Sequence, residues 1–202
     1  MKEINYKKIE KIFKLNGNYI TRKDVDEANI ASWFLSDFVK KNKLNKIAPW
    51  VYADDSFIAD EYFLLQKRFP KFIFSGMSAL YLHGLTDKIV TSIEVTAPQG
   101  YNPTRNKLDR VIIHRISNRE IYSLGIVSIK TIYGNDVNVY DAERTICDIV
   151  KNRNKYDSET FIKAIKWYVK RINKQFKLFN YAKILKVEKE LFEIMEILFG
   201  ED

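Results

Sequence analysis

The residues with types and spacing suited to chemistry are Ser75-Gly76-Met77-Ser78, which follow the apolar run Phe72-Ile73-Phe74. A strand that enters a Gly-Ser turn and then a helix presents backbone N–H groups to a phosphate. Nucleotidyl transfer on such a turn also needs two acids on a nearby strand to hold metal ions. The next β-branched run, Ile93-Glu94-Val95-Thr96, supplies Glu94 alone and no Asp-x-Asp pair. A restriction-nuclease arrangement, an acid followed by Glu-x-Lys, fails at the same place, because Thr96 stands where the lysine belongs. Both metal readings fall short on ligand count, and Ser75 with Gly76 also reads as a tight helix N-cap. A metal-dependent nucleotidyltransferase or nuclease centred on Ser75, Gly76 and Glu94 is the secondary reading.

Other reactive side chains are few. His83 precedes Gly84 at an expected helix end, where an imidazole can bond the last free carbonyls. His114 lies on an expected strand between Arg110 and Arg115. Two histidines this far apart, with no Cys-x-x-Cys or His-Glu-x-x-His, predict no metal site and no cofactor. Cys147 is the single cysteine, which excludes an intramolecular disulfide. It falls beside Ile146 and Val150 on an inward helix face, as a buried apolar thiol does.

The charge points to a polyanion. Thirty-four basic against twenty-six acidic side chains leave +8 over 202 residues. Residues 1–55 carry net +3 and residues 56–150 net +1, whereas residues 151–189 carry net +9 and residues 190–202 net −5. Within the basic segment, Lys163, Lys166, Lys170 and Lys174 recur at spacings of three and four, with Arg171 beside them. Ile165, Tyr168, Val169 and Ile172 are the expected apolar face of the same helix. Near the end, Glu190, Glu193 and Glu196 form an acidic ridge that can neutralise the lysines of the same molecule or of a second copy. No apolar run reaches the roughly 18 to 20 residues of a membrane helix, and the first residues do not resemble a signal peptide. A cytoplasmic protein without membrane contact is expected.

The elements that must position these residues divide in two. Ile4, Ile9, Ile12, Phe13 and Leu15 predict an amphipathic helix, stopped by Asn16-Gly17-Asn18. Thr21 is a suitable N-cap for a helix from Arg22 to Ala28, with Asp24 three residues on. After Asn29-Ile30, a third helix runs from Ala31 to Asn42 with Leu35, Phe38 and Val39 inward. Two short strands, Lys43 to Ile47 and Val51 to Ala53, follow across Ala48-Pro49-Trp50. This order is that of a winged helix-turn-helix over residues 1–55, closed at Asp54-Asp55-Ser56. Its third helix would offer Ser32, Trp33, Ser36 and Lys40 to base edges. Thr21, Arg22 and Lys23 would meet phosphates at the preceding helix, and Lys41, Lys43 and Lys46 along the wing. Asp37 lies on the same face and would repel phosphate.

Residues 56–202 read as a mixed α/β domain ending in helices. Strands are expected at Phe72–Phe74, Ile93–Thr96, Val111–Ile116, Ile126–Thr131 and Val137–Tyr140. Helices are expected over Ile58–Phe69, from the Ser75-Gly76-Met77-Ser78 turn to about His83, from Asp141 to Lys151, and then over Glu159–Lys174, Leu178–Leu185 and Val187–Phe199. The fold class of the whole chain is α+β.

Three blocks carry a family resemblance: Phe74-Ser75-Gly76-Met77-Ser78-Ala79-Leu80-Tyr81-Leu82-His83-Gly84-Leu85-Thr86-Asp87, Val95-Thr96-Ala97-Pro98, and Val139-Tyr140-Asp141-Ala142-Glu143-Arg144-Thr145-Ile146-Cys147-Asp148. With the N-terminal unit, they resemble AbiEi-type antitoxins of abortive-infection systems over nearly the whole chain. Asn29 and Asn42 stand where such winged helices often have glycine, and both tolerate a left-handed backbone. The resemblance implies a type IV antitoxin and transcriptional repressor of phage-defence operons. Its winged helix would bind inverted repeats upstream of its own operon, with self-association on the DNA. Its C-terminal domain would counteract a nucleotidyltransferase-like toxin without a stable complex and without catalysis. The Lys163, Lys166, Lys170, Arg171 and Lys174 surface is the expected antitoxin surface; a module that binds the toxin directly is the remaining alternative.

Overall fold

The computed structural model describes residues 2–103 and 108–200, and the chain is α+β. It divides into two compact units, residues 1–68 and 69–202.

The first unit opens with α1 (Lys2–Leu15), whose buried side chains are Ile9 and Phe13. Ile4 and Leu15, expected on its inner face, are instead 58% and 75% exposed. A three-residue strand β1 (Tyr19–Thr21) follows, then α2 (Arg22–Glu27) and α3 (Ser32–Lys41). Asn29 takes φ of +53° in the turn between them, and Ile30 is buried there. The wing is β2 (Asn45–Ala48) and β3 (Val51–Ala53), and the three strands form an antiparallel sheet in the order β1-β3-β2. Asn42 keeps an ordinary backbone, and the left-handed residue beyond α3 is Lys43. Ile9, Phe13, Ile20, Val25, Phe34, Leu35, Phe38 and Leu44 pack as one apolar core. The expected inner face of α3 therefore shifts by one position: Phe34 is buried and Val39 only half-buried.

The unit continues past the boundary expected at Asp54–Ser56. Helix α4 (Glu61–Arg68) belongs to it, because Phe63 packs on Tyr19 at 4.8 Å between rings and Phe57 on Tyr19 at 5.7 Å.

The second unit contains a five-stranded mixed sheet of β4 (Ile73–Phe74), β5 (Ile93–Pro98), β6 (Val111–Ile116), β7 (Ile126–Lys130) and β8 (Asp136–Tyr140), in the order β6-β5-β4-β8-β7. Strand β4 pairs antiparallel with β5 and parallel with β8, which brings Phe74 beside Val95 and Val139. Helix α5 (Gly76–Leu82) leaves β4 directly, and α6 (Arg119–Ser123) is a short helix the sequence pattern does not announce. Asp141 caps α7 (Ala142–Lys151), its side chain accepting from Arg144 N. Helices α8 (Ser158–Arg171), α9 (Gln175–Leu185) and α10 (Glu188–Phe199) complete the chain. Leu80, Ile146, Ile149, Ala164, Ile165, Leu178, Ala182 and Leu191 belong to one core that joins α5 and α7 to these three helices. On α8 the buried positions are Thr160, Phe161, Ala164, Ile165 and Tyr168, while Val169 and Ile172 are only half-buried.

Candidate functional site

Helix α3 turns Phe34, Leu35 and Phe38 inward, which leaves Ser32, Trp33, Ser36 and Lys40 together on its other side. Trp33 is 49% exposed and stacks on Phe34 with 3.7 Å between rings. The carboxylate of Asp37 is taken by Lys41 at 3.0 Å, so the charge expected to repel phosphate is countered within the helix. Arg22 and Lys23 are engaged in the same manner, with Asp26 at 2.8 Å and Glu27 at 3.4 Å. Lys40, Lys43 and Lys46 are exposed, and no carboxylate pairs with them among the described residues.

Thr21 does not join this surface. It is buried, and its hydroxyl accepts from Asp24 N while the Asp24 carboxylate accepts from Thr21 N, a complete capping box. At the wing tip Trp50 is 60% exposed with φ of +62°, and Lys46 Nζ lies 5.9 Å from its ring. A left-handed backbone on a bulky side chain is strained.

In the second unit, Ser75 is the residue before α5 but its side chain makes no cap bond; its hydroxyl accepts instead from Thr96 Oγ1 at 3.0 Å. The cap comes from across the sheet. Glu94 on β5 accepts from Met77 N at 3.3 Å through Oε1, and its Oε2 lies 2.9 Å from His114 Nε2. The Glu94 backbone N–H also donates to Ser78 Oγ at 2.8 Å, and Ser75 N donates to the Glu94 carbonyl at 3.1 Å. The carboxylate thus occupies the place by the Gly-Ser turn where a phosphate was considered. Gly76 makes this approach possible: its φ is +53°, and a Cβ there would lie 2.7 Å from Glu94 Cδ and 3.1 Å from the Tyr156 hydroxyl. Among the described residues, no three His, Cys, Asp or Glu side chains are grouped to hold a metal ion.

His83 bonds a carbonyl, though not one of its own helix: its Nε2 lies 2.7 Å from Tyr140 O on β8. Burial holds the imidazole below its ordinary pKa, against the opposing pull of that bond and of Asp141 and Glu143. Cys147 is fully buried, and burial pushes its thiol up to about 12. Arg144 is the buried residue that residue-type reasoning missed. Its guanidinium bonds Ile121 O at 2.6 Å, Leu124 O at 3.1 Å and Asp148 at 3.0 Å, and covers the Tyr140 ring at 4.3 Å. Arg144 thereby ties α6 and the residue that ends it to α7.

The helix expected to run from Glu159 to Lys174 ends at Arg171, because Asn173 takes a left-handed backbone, so Lys163, Lys166, Lys170 and Arg171 lie on α8 while Lys174 is the residue before α9. Lys166, Lys170 and Lys174 are exposed and pair with no carboxylate among the described residues. Lys163 pairs with Asp87, and Arg171 donates to Gly84 O. Between these two cations sits Trp167, with Lys163 Nζ at 5.0 Å and Arg171 Cζ at 4.3 Å from its ring. Lys177, from the same basic segment, is tied down by Asp141 at 2.8 Å and Glu143 at 3.2 Å. Glu190, Glu193 and Glu196 are exposed on α10, and no ion pair joins them to α8 among the described residues. Neutralisation of the stripe within the molecule is therefore not seen. Phe176, 84% exposed just beyond Lys174, was also missed, although Lys174-Gln175-Phe176-Lys177 interleaves charge and aromatic.

Fold and surfaces together define an α+β protein with an N-terminal winged-helix unit. The chain matches no family model and no curated protein. It is similar to a solved structure, that of the RV2827C protein from Mycobacterium tuberculosis. The likeness covers 98% of this chain and 82% of that one, with a TM-score of 0.50 and 12% sequence identity. At that identity the likeness is one of fold.

Proposed function

We propose that the chain is a DNA-binding autorepressor and type IV antitoxin of the cytoplasm. Its first unit binds inverted repeats upstream of its own operon, two copies meeting on the DNA. Its second unit counteracts a nucleotidyltransferase-like toxin without forming a stable complex with it. The observation that carries the DNA-binding part is the exposed α3 face with Lys40, Lys43 and Lys46, which need break no ion pair to meet phosphates. The antitoxin part draws on the family resemblance of the Ser75–Asp87 and Val139–Asp148 blocks and on the exposed stripe of α8. Among the described residues no helix is long and apolar enough to cross a membrane. The metal-dependent reading is the weaker one, since both oxygens of Glu94 already have partners.

The test is a triple substitution, Lys40→Ala, Lys43→Ala and Lys46→Ala, assayed on upstream duplex DNA over a salt series. Three lost phosphate contacts reduce the slope of log K against log salt by about 2.7. An unchanged slope would remove this face from the DNA.

A further inference from the structure

On α8 the exposed lysines Lys166 and Lys170 have no carboxylate partner among the described residues. Many helix cations elsewhere are paired one turn away, Lys7 with Glu3, Lys14 with Glu10, Arg22 with Asp26, Lys23 with Glu27, Lys41 with Asp37 and Lys189 with Glu193, although Lys8, Lys11 and Lys40 are not. On α8, Lys166 and Lys170 are spaced one turn apart without an interleaved acid, and the exposed Lys174 follows beyond the turn at Asn173, at the start of α9. Like charges at that spacing disfavour a helix, so the row is costly unless an anion meets it. Aromatic rings accompany the row. Trp167 is clamped by Lys163 and Arg171, which are themselves held by Asp87 and Gly84 O. Phe176 stands 84% exposed two residues after Lys174 and makes no ring contact among the described residues.

We infer that this surface is a binding site for single-stranded nucleic acid: Lys166, Lys170 and Lys174 follow the phosphates and Phe176 stacks on an unpaired base. A duplex would use the lysines but leave the phenyl ring without a partner, because its bases are stacked inside; a single strand uses both. Trp167, held between Lys163 and Arg171, adds a second aromatic ring on the same helix. The inference rests on the reading of the second unit as carrier of an activity separate from repression, and it names the chemistry that unit would recognise.

The experiment uses the full chain and end-labelled oligouridylate and oligothymidylate of about twelve nucleotides, followed by fluorescence anisotropy at low and moderate salt. Lys166→Glu/Lys170→Glu/Lys174→Glu should weaken binding of both at least tenfold and reduce the salt slope by about 2. Phe176→Ala should weaken oligonucleotide binding about fivefold or more while leaving binding of inorganic polyphosphate unchanged. All four positions are exposed, and an unaltered circular dichroism melt confirms that the variants fold. Binding unaffected by the triple variant overturns the inference. So does a Phe176→Ala effect equal on oligonucleotide and polyphosphate, which would mark a general polyanion surface. So does loss of single-strand binding on Lys40→Ala/Lys43→Ala/Lys46→Ala, which would place it on the first unit. Toxin neutralisation, scored separately as growth rescue, distinguishes the two failures. Rescue abolished by the triple variant without single-strand binding leaves the antitoxin reading standing and this inference refuted. Rescue unaffected, with single-strand binding lost, keeps this inference and removes the α8 surface from neutralisation, whereas absence of rescue by the unsubstituted chain refutes the antitoxin reading.

Discussion

Substituting Gly76 by alanine probes whether the Ser75–Gly76 turn builds the fold or does chemistry. Two costs apply. The residue sits at φ of +53°, where a side chain costs about 1–2 kcal/mol. The new Cβ also lies 2.7 Å from Glu94 Cδ, so that carboxylate must withdraw from Met77 N and His114. With 13% of its side chain exposed, Glu94 then loses partners it cannot fully replace with water, at about 1–3 kcal/mol. The expected destabilisation is about 3 kcal/mol, confined to the second unit. Urea unfolding reads it through Trp167 in a Trp33→Phe/Trp50→Phe background, since the other tryptophans lie in the first unit. At a slope of about 2 kcal/mol per molar, the midpoint falls by more than about 1 M. Adding Glu94→Ala relieves the clash but not the backbone strain, so it should restore part of the loss. An unchanged midpoint for Gly76→Ala would refute the reasoning, and so would an unchanged midpoint with lost biological activity, which would make the turn a reactive site.

Trp50→Gly releases a left-handed bulky residue and should stabilise the first unit by about 0.5–1 kcal/mol in urea unfolding, after the extra chain entropy of glycine. The same variant should weaken operator binding, because the exposed indole and the Lys46 beside it are lost from the wing. The folded-state pKa of His83 is depressed, so the stability it contributes is full above its ordinary value of 6.5 and declines as pH falls through the lower folded value. Unfolding of the second unit between pH 7.5 and 5 should show this decline, and His83→Gln, which keeps a donor for Tyr140 O, should flatten it. Cys147, with its thiol near 12 and no exposure, should resist a disulfide reagent at pH 8 in the folded protein and react only at the rate of unfolding.

Local signals in the sequence explain most of the elements, and the differences have local or long-range causes. The strand Val111–Ile116 and the helix after Asp141 follow directly from β-branched runs and a capping side chain. Strand β1 is three residues long, too short for an alternation to show, although it completes the wing sheet. Thr21 caps α2 as its residue type predicts, and the capping box buries it and removes it from the surface. The face of α3 was displaced because Phe34, which begins the apolar pattern, stacks with the exposed Trp33 on one side and packs against Tyr6 on the other. The role of Glu94 was illegible for a different reason. It caps a helix that starts eighteen residues earlier, a pairing set by the antiparallel register of β4 and β5 and not by any local motif. The recurrence of Lys166, Lys170 and Lys174 was legible in their spacing, whereas their lack of acidic partners and the place of Trp167 between Lys163 and Arg171 needed the structure.

A mobility shift of the full chain on the DNA upstream of its own operon, set against random duplex over a salt series, tests the central claim most directly. A preference of about a thousandfold for the upstream DNA, with a steep salt slope, is the predicted result. Equal binding to both duplexes would contradict specific repression and leave the first unit with a basic surface alone.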